Sequence, residues 1–547
     1  MRKRDLGRIS KSEWLWVSIV ATIVLSATVI PLLVGWRMTP EGKCFLWNTR
    51  LNAEDIYTYL AWMDQGARGH LLFVDRYTSE PQTPALFLPL FLGGGLAARV
   101  FHLPLMAAFH LMRVALGALL LYLVYRWIAE IWEEIWTRRA CFLIVLLSSG
   151  LGWLVRSWGL QSVDLGIPEA ITFMSLYQSP LFLAGLVLTL ILLTGITRSS
   201  KEHEGRHLFL LGVSSALLTW THPYDLVTVL VVGIVWSVLV FARAGTWRPI
   251  LLRLLVVCGG ALPAALHQAW IISAHPVYSG WSRMVRGVSP SPLGYLLGFG
   301  LLIPLALLGV RQFWSRPSER SLLPIVWVAV TAVLVYAPVS FQRRLIQGIH
   351  LPLSILAMGG LASLVGGGRG GSARRTEGLG PLRKTAIVVL IAVLSLSNAR
   401  MIVDDIAAYR TAKAPYYIRT QYFEAFRWLR EHTRSEEIVF SSYPSGAFIP
   451  GIAGNTVYLG HWGLTVRAEA KVAEVARFLA DNSDDVGKEA LLRGVGAKYL
   501  FYGESERNLG SYDPESKSYL RRVFDGGVIR IYALHPVELP PDIPQRP

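Results

Sequence analysis

The stretch that decides the interpretation of this chain is Asn52-Ala-Glu54-Asp55-Ile-Tyr57-Thr-Tyr59-Leu-Ala-Trp62-Met-Asp64-Gln65, directly after the first long apolar segment. It predicts a short helix, because Asn52 is a favoured N-cap and Glu54 and Asp55 suit a first turn. Gly66 and Gly69 are predicted to end it. Two adjacent carboxylates therefore stand where the chain has just left an apolar environment. Most such pairs are solvated helix starts, so the rest of the chain must decide whether this pair has a chemical role.

The composition is that of a polytopic α-helical membrane protein. Of 547 residues, 53% are hydrophobic and 16% charged, and the mean hydropathy is +0.42. The formal net charge of +16 does not indicate a nucleic-acid partner. The basic residues lie mostly in short loops between apolar segments, where they direct topology and contact lipid phosphates.

The apolar segments predict about eleven transmembrane helices. They are residues 14–36, 104–128, 140–155, 178–197, 207–221, 226–241, 249–272, 293–310, 321–338, 346–364 and 385–398. Basic residues before the first span place the N-terminus in the cytoplasm of a protein of the cell membrane. The external loop 37–103 contains an apolar stretch, 84–99, that Pro and Gly interrupt. We expect this stretch to lie at the membrane interface, since a crossing there would put the basic loop 198–206 outside.

The chain divides into a transmembrane domain, residues 1–398, and a tail, residues 399–547, in which charge increases and apolar runs shorten. The tail predicts helices at 417–432, 466–479 and 485–493. It predicts strands at 437–442, 456–459, 498–502 and 528–534. We therefore expect a small extracytoplasmic α/β domain after the last span.

Ionisable residues at the external ends of the spans are the functional candidates, because burying them near a membrane is costly. The candidates are Glu54 and Asp55 with Tyr59 on the same helix, Asp164 and Glu169 in the second external loop, His222 and Asp225 at a Pro break, and Arg343, Arg344 and His350 before a late span. Such a set suits a phosphate-bearing lipid substrate. A carboxylate would act as general base, and the arginines would hold the phosphate while the spans take a polyprenyl tail.

Each candidate also has a structural interpretation that the sequence leaves open. Asp164 would be a solvated loop residue, Glu169 a helix cap, His222 to Asp225 a turn in a helical hairpin, Arg343 and Arg344 contacts for ordinary lipid headgroups, and His350 a packed interfacial histidine. No Walker loop or HExxH motif is present, so the sequence does not indicate a directly bound nucleotide as the energy source.

The chain resembles the GT-C superfamily of membrane glycosyltransferases, of the protein O-mannosyltransferase or aminoarabinose transferase type found in bacteria. The likeness rests on the external helix at Glu54-Asp55, the stretch Tyr77-Thr-Ser-Glu80-Pro-Gln-Thr-Pro84, and Arg343-Arg344-Leu-Ile-Gln-Gly348-Ile-His350-Leu-Pro352. The second acidic loop and the external tail also fit. The tail lacks a WWDYG-like segment, which argues against an oligosaccharyltransferase.

The resemblance implies inverting transfer of a sugar from a polyprenyl-phosphate-linked donor to an extracytoplasmic glycan, lipid or protein. Its base would be Asp55, with Glu54 as helper or alternate. Asp164 or Glu169 would match a loop that handles the acceptor or a metal in some members. No cofactor follows with certainty, because this loop lacks a clear paired motif; a divalent metal, Mg or Mn, stays open. The alternatives are a transporter or flippase of lipid-linked glycans, and a non-catalytic cell-envelope scaffold.

Overall fold

A computed structural model describes residues 7–51, 53–198, 204–244, 248–284, 287–315, 319–365 and 381–535. Up to residue 409 it is almost entirely helical. The helices are α1 Lys11–Arg37, α2 Ala53–Ala67, α3 Pro89–Val100, α4 Leu105–Ile131, α5 Ile135–Leu147, α6 Gly152–Val155, α7 Thr172–Gln178, α8 Pro180–Ile196, α9 Glu204–Thr221, α10 Pro223–Ala244, α11 Arg248–Ala274, α12 Pro276–Met284, α13 Pro292–Phe299, α14 Leu302–Ser315, α15 Glu319–Leu334, α16 His350–Val365, α17 Pro381–Leu394 and α18 Leu396–Tyr409.

This part of the chain is a multi-pass membrane bundle. Among the described residues, six helical segments are long and apolar enough to cross a membrane, or up to eight if each of two bent pairs counts as one span. Every one of the eleven predicted spans contains a helix, but α8 and α15 have only 17 and 16 residues. The count of eleven therefore stays a prediction, whereas the polytopic α-helical architecture is confirmed.

The predicted span 293–310 is two helices. α13 and α14 meet at an angle of 83°. Gly300 stands between them with φ +47°, a conformation that other residues rarely adopt. α13 packs closely on the second external loop, since a Cβ on Gly298 would lie 2.1 Å from a methyl carbon of Val163. An apolar run cannot reveal such a bend, because both arms are equally apolar.

α2 packs on α3 through glycines. A Cβ on Gly66 would lie 2.3 Å from the Leu92 carbonyl oxygen, and one on Gly95 would lie 1.9 Å from that of Met63. Gly66 also packs on α3, and α2 ends at Ala67, between Gly66 and Gly69, as predicted; Gly69 has φ +92°. α3 has 12 residues, about 18 Å of helix, which is too short to cross a bilayer. Asn52, the predicted N-cap, lies outside the described residues.

The tail contains a sheet-bearing α/β domain. Its elements are β2 Tyr417–Arg419, α19 Thr420–His432, β3 Ile438–Phe440, α20 Tyr443–Gly446, α21 Ile449–Ile452, β4 Thr456–Val457, α22 Ala468–Ala480, α23 Asp485–Gly494, β5 Ala497–Tyr502, α24 Glu504–Arg507, β6 Leu520–Asp525 and β7 Arg530–Leu534. Five strands form a sheet in the order β4-β3-β5-β7-β6. β3 runs parallel to β4 and β5, and β7 is antiparallel to β5 and β6. β6 is the strand of this sheet that the sequence did not predict.

Two features join the tail to the bundle. β1 (Lys43–Phe45), between α1 and α2, pairs antiparallel with β2, with Lys43 opposite Arg419. α18 runs through the predicted boundary at residue 398, and Asp405 on it accepts hydrogen bonds from Tyr177 Oη (2.6 Å) and the Arg50 amide (2.9 Å). The last predicted span therefore continues, after a 40° bend, as a helix packed on the bundle.

Candidate functional site

The two carboxylates in the first turn of α2 each meet a side chain of the tail. Tyr443 Oη donates a 2.7 Å hydrogen bond to Glu54 Oε2. His461 Nε2 lies 3.5 Å from Asp55 Oδ1. The Asp55 side chain is 35% exposed, whereas that of His461 is 7% exposed. Asp55 is thus partly exposed at the contact between α2 and the tail.

The loop that carries His461 is held by hydrogen bonds. Thr465 Oγ1 accepts bonds from the amides of Gly460 and His461, both 3.1 Å, and donates to the Tyr77 carbonyl at 2.7 Å. The Gly463 amide donates to His461 Nδ1 at 3.2 Å. In the neutral imidazole this assigns the proton to Nε2, the nitrogen nearest Asp55.

Charged groups from three elements surround Tyr59, one turn after Asp55. Burial raises the pKa of Tyr59 well above its usual value, the charges of Asp55 and Glu169 raise it further, and Arg344 lowers it. Glu169 lies in the 3-10 helix Pro168–Ala170 and is 7% exposed. It makes no hydrogen bond or ion pair with a described residue. Asp55, Glu169 and Arg344, from three different elements, thus all influence the pKa of Tyr59.

Arg343 and Arg344 lie in the 3-10 helix Gln342–Ile346. The Arg344 guanidinium stands 4.8 Å from the centroid of the Tyr224 ring. Arg343 Nε is buried and has no hydrogen-bond partner among the described residues. Neither arginine forms an ion pair with a described carboxylate. The two guanidinium groups are thus available to an anionic ligand.

Arg343 lines an open groove of about 550 Å³ together with two further arginines, Arg50 and Arg156. Arg50 and Arg156 share one carboxylate, Asp404, as an ion-pair partner. The apolar part of the wall comes from Leu160, Val163, Leu165, Ile167, Val288 and Pro290. The groove thus combines an excess of positive charge with an apolar lining, a combination that suits an amphiphilic anion.

Asp164, predicted to bind substrate, is a structural residue. It is fully buried, and its Oδ2 accepts hydrogen bonds from the amides of Gly150 (2.9 Å) and Gly152 (3.1 Å). Ser162 Oγ donates to its other oxygen. The carboxylate satisfies backbone groups at the break between α5 and α6, where the helix leaves amides unpaired.

His350, also predicted to bind substrate, is a packed histidine of α16. Its Nε2 lies 3.1 Å from Ser148 Oγ and its Nδ1 lies 2.9 Å from Thr172 Oγ1. The side chain is 1% exposed. Both ring nitrogens are therefore occupied inside the bundle, which corrects the prediction of a substrate contact.

His222 and Asp225 form a buried pair at the start of α10, with 3.0 Å between His222 Nδ1 and Asp225 Oδ1. α8 packs against them through Gly185, where a Cβ would lie 2.7 Å from Asp225 Oδ2. They are 4% and 2% exposed, and Asp225 Oδ2 has no hydrogen-bond partner among the described residues, so substrate contact by this pair stays a prediction. They lie next to Tyr224, whose ring supports Arg344, so they stabilise a turn behind the arginines.

Sequence reasoning missed four groups at this site. Tyr443 and His461 come from the tail, and no local pattern connects them with α2. Arg50 and Arg156 could have been selected as candidates from the sequence, because both are basic residues in predicted external segments.

Asp75, in the first external loop, is a further missed residue. It is buried and accepts hydrogen bonds from Trp281 Nε1 (3.0 Å) and the Tyr77 amide (2.8 Å). Burial raises its pKa to about 7. Nothing in the surrounding sequence marks a buried carboxylate, because loop aspartates are usually solvated.

The described residues do not fit a protein-held metal ion. No group of three or more His, Cys, Asp or Glu side chains within them is placed to hold one. Asp164 is committed to backbone amides and Glu54 accepts from Tyr443, so Asp55 and Glu169 do not form a complete ligand set. We derive no chemical step through a metal.

Comparison with known proteins gives a structural likeness without a sequence family. No protein-family model matches the chain, and no curated protein sequence matches it. Among solved structures, 27 chains match. They include ArnT from Cupriavidus metallidurans bound to undecaprenyl phosphate, with a TM-score of 0.53, 11% identity, and coverage of 96% of this chain and 98% of that one.

Two further similar structures are larger proteins. The oligosaccharyltransferase AglB from Archaeoglobus fulgidus, solved with an inhibitory peptide and a dolichol-phosphate, has a TM-score of 0.51 at 14% identity over 95% of this chain and 75% of its own. The mycobacterial arabinofuranosyltransferase AftD has a TM-score of 0.52 at 13% identity, over 96% of this chain but only 40% of its own. At these identities the likeness establishes the fold. The chain is a multi-pass membrane protein with a GT-C-like fold.

Proposed function

We propose that this protein is a membrane glycosyltransferase that transfers a hexosyl or pentosyl group from a polyprenyl-phosphate-linked donor to an extracytoplasmic glycan, lipid or protein. The observation that carries the proposal is that a partly exposed carboxylate, Asp55, and Arg344 both influence the pKa of Tyr59, while the neighbouring Arg343 lines an open groove. A base and a phosphate-binding pair are the two functions that this reaction needs.

In the proposed reaction Asp55 acts as general base. The acceptor hydroxyl or amine attacks the anomeric carbon of the donor while Asp55 takes its proton. The bond between that carbon and the phosphate oxygen breaks, so polyprenyl phosphate leaves with its negative charge. A single displacement of this kind inverts the configuration at the anomeric carbon. Glu54 assists from the neighbouring position or acts as the alternate base.

Arg343 and Arg344 hold the donor phosphate and stabilise the charge that it gains on leaving. The support is electrostatic and geometric, since both lack a carboxylate partner among the described residues and Arg343 lines the groove. Arg50 and Arg156 make the groove more positive, and its apolar wall suits the first isoprene units. Glu169 and Tyr59 are the groups that we propose to contact the sugar, because Asp55, Glu169 and Arg344 all influence the pKa of Tyr59.

We propose that the site faces the extracytoplasmic side. The basic N-terminus and the loop charges support this orientation through the positive-inside rule. The resemblance of the tail to those of bacterial proteins favours an undecaprenyl carrier. The lipid phosphates in the ArnT and AglB structures agree with a lipid-linked donor for this fold, without identifying the sugar or acceptor.

The test uses the full chain in lipid nanodiscs with radiolabelled undecaprenyl-phosphate hexose and pentose donors and an envelope extract as acceptor source. Wild type should release undecaprenyl phosphate and label an acceptor. Asp55→Asn should lower turnover by about 10²-fold or more, as expected for loss of a general base, and should still bind donor. Full turnover in Asp55→Asn would refute the assignment of the base. Donor movement across vesicles without a covalent product would refute the transferase.

A further inference from the structure

We infer that the tail supplies part of the catalytic centre, with His461 as a positioning residue that orients the Asp55 carboxylate. This inference rests on the proposed function of Asp55 as the base. It assigns the tail a role in the chemical step, whereas a tail that only binds the acceptor would not need to reach α2.

The first argument is that the His461 imidazole is fixed before any substrate arrives. The Gly463 amide donates to Nδ1, and Thr465 Oγ1 accepts from the His461 amide while it donates to the first external loop at Tyr77. The Tyr77 ring packs edge-on against the imidazole with 5.8 Å between ring centroids. The ring is therefore held on one side by the tail and on the other by the external loop.

The second argument concerns the remaining nitrogen. His461 Nε2 is buried, and it has no hydrogen-bond partner within the part of the chain that the structure describes. Buried N–H groups without partners are costly and uncommon. The polar atom 3.5 Å away is Asp55 Oδ1. Catalytic hydrogen bonds are often long in the absence of substrate and shorten when it binds. The geometry fits a donor prepared for the Asp55 carboxylate.

The third argument is that the two adjacent carboxylates, Glu54 and Asp55, have different partners in the tail. Tyr443 Oη donates to Glu54 Oε2, so Glu54 is engaged by the tail. His461 approaches only one oxygen of Asp55 and leaves Oδ2 for the acceptor proton. The same domain thus restrains Glu54 and orients Asp55, which explains why Asp55 is the base of the pair. In this arrangement the acceptor proton goes to Asp55 directly and does not pass through His461.

The experiment compares two neutral amides at position 461 with a control elsewhere in the same interface. His461→Asn keeps an acceptor for the Gly463 amide but is too short to reach Asp55. His461→Gln places an N–H near the position of Nε2. Arg430→Ala removes a different contact between the tail and α2, the 2.5 Å ion pair with Asp64, which keeps Arg68 as a partner.

We expect His461→Asn to lower kcat by about 10²-fold, as misorientation of a catalytic group does, with KM for the donor within roughly two-fold. His461→Gln should recover most of kcat, and Arg430→Ala should behave as wild type. Thermal unfolding in nanodiscs should be alike in all four proteins. If His461→Asn does not fold, His461→Leu replaces it in the test. We then expect His461→Leu to lose about 10²-fold in kcat while His461→Gln keeps a kcat close to that of wild type.

Three results would overturn the inference. They are an undiminished kcat in His461→Asn, a failure of His461→Gln to recover activity, and a loss in Arg430→Ala as large as that in His461→Asn. The last would mean that docking of the tail, and not orientation of Asp55, is what matters. Asp55→Asn is assayed alongside. If Asp55→Asn is inactive while His461→Asn is active, only the inference about His461 fails. If Asp55→Asn is active, the proposed function fails.

Discussion

Tyr443 Oη donates a hydrogen bond of 2.7 Å to Glu54 Oε2, and so fixes the tail to the first turn of α2. Burial and the Glu54 charge raise the pKa of the tyrosine, so its hydroxyl keeps the proton that it donates at neutral pH. The hydrogen bond occupies Glu54. It leaves the neighbouring carboxylate, Asp55, free to act as the proposed base.

Tyr443→Phe should therefore have a modest effect. The substitution removes one hydrogen bond to Glu54 but leaves Asp55 and His461 in place, so we expect turnover to fall by less than about ten-fold, the equivalent of one ordinary hydrogen bond. Turnover of labelled donor in nanodiscs measures it. A loss as deep as that of Asp55→Asn would show that Glu54 is the base.

Arg343→Gln and Arg344→Gln should each weaken binding of undecaprenyl phosphate by about ten-fold or more, because a charge-assisted hydrogen bond to phosphate contributes about 1.5–3 kcal/mol. Native mass spectrometry of lipid-titrated protein would measure this. Arg311→Gln is the matched control, since Arg311 is an exposed arginine on α14 outside the groove. Equal weakening in all three variants would indicate general attraction of anionic lipid and would contradict a phosphate site.

Gly95→Ala should destabilise the protein, whereas Gly93→Ala should not. A Cβ at Gly95 would overlap the Met63 carbonyl of α2, while one at Gly93 meets nothing within 4 Å. Overpacking of this kind costs about 1–3 kcal/mol or more, since two backbones must separate. At Gly93 the alanine should be neutral or stabilising by up to about 1 kcal/mol. Unfolding midpoints in nanodiscs compare the two, and equal midpoints would contradict the close α2–α3 contact.

Asp75 should make stability depend on pH in a defined direction. Its pKa is raised from 3.8 to about 7 in the folded protein, so the folded state holds the proton to higher pH than the unfolded chain does. The free energy of unfolding should therefore fall as pH rises from about 4 to about 7, and this contribution should be level above that range. Asp75→Asn should flatten the fall, measured as unfolding midpoints across pH. An unchanged slope would assign the dependence to other groups.

The bundle was predictable because apolar segments, Pro and Gly breaks, and loop charges are local properties of the sequence. The helix around Asp55, the non-spanning stretch containing α3 and four of the six strands of the tail, β3, β4, β5 and β7, followed from such patterns. The bend at Gly300 could not be predicted, because a bent apolar segment has the same sequence pattern as a straight one.

The side-chain roles were harder to predict, because they depend on tertiary partners. Asp164 looks like a loop acid in the sequence, but it satisfies the amides of Gly150 and Gly152 in the structure. From the sequence, His350 is expected at the membrane interface. In the structure its two ring nitrogens are hydrogen-bonded to Ser148 and Thr172. His461 reaches Asp55 through the packing of the tail on α2, and no pattern in the sequence around either residue predicts that contact.

The most direct measurement is a cryo-electron microscopy map of the full chain in nanodiscs with undecaprenyl phosphate. We expect phosphate density within hydrogen-bonding distance of the guanidinium of Arg343 or Arg344, with the isoprene chain leaving along the groove and Asp55 facing the phosphate across the space for a sugar. Lipid phosphate bound elsewhere on the bundle, with no density at either arginine, would contradict the proposed site.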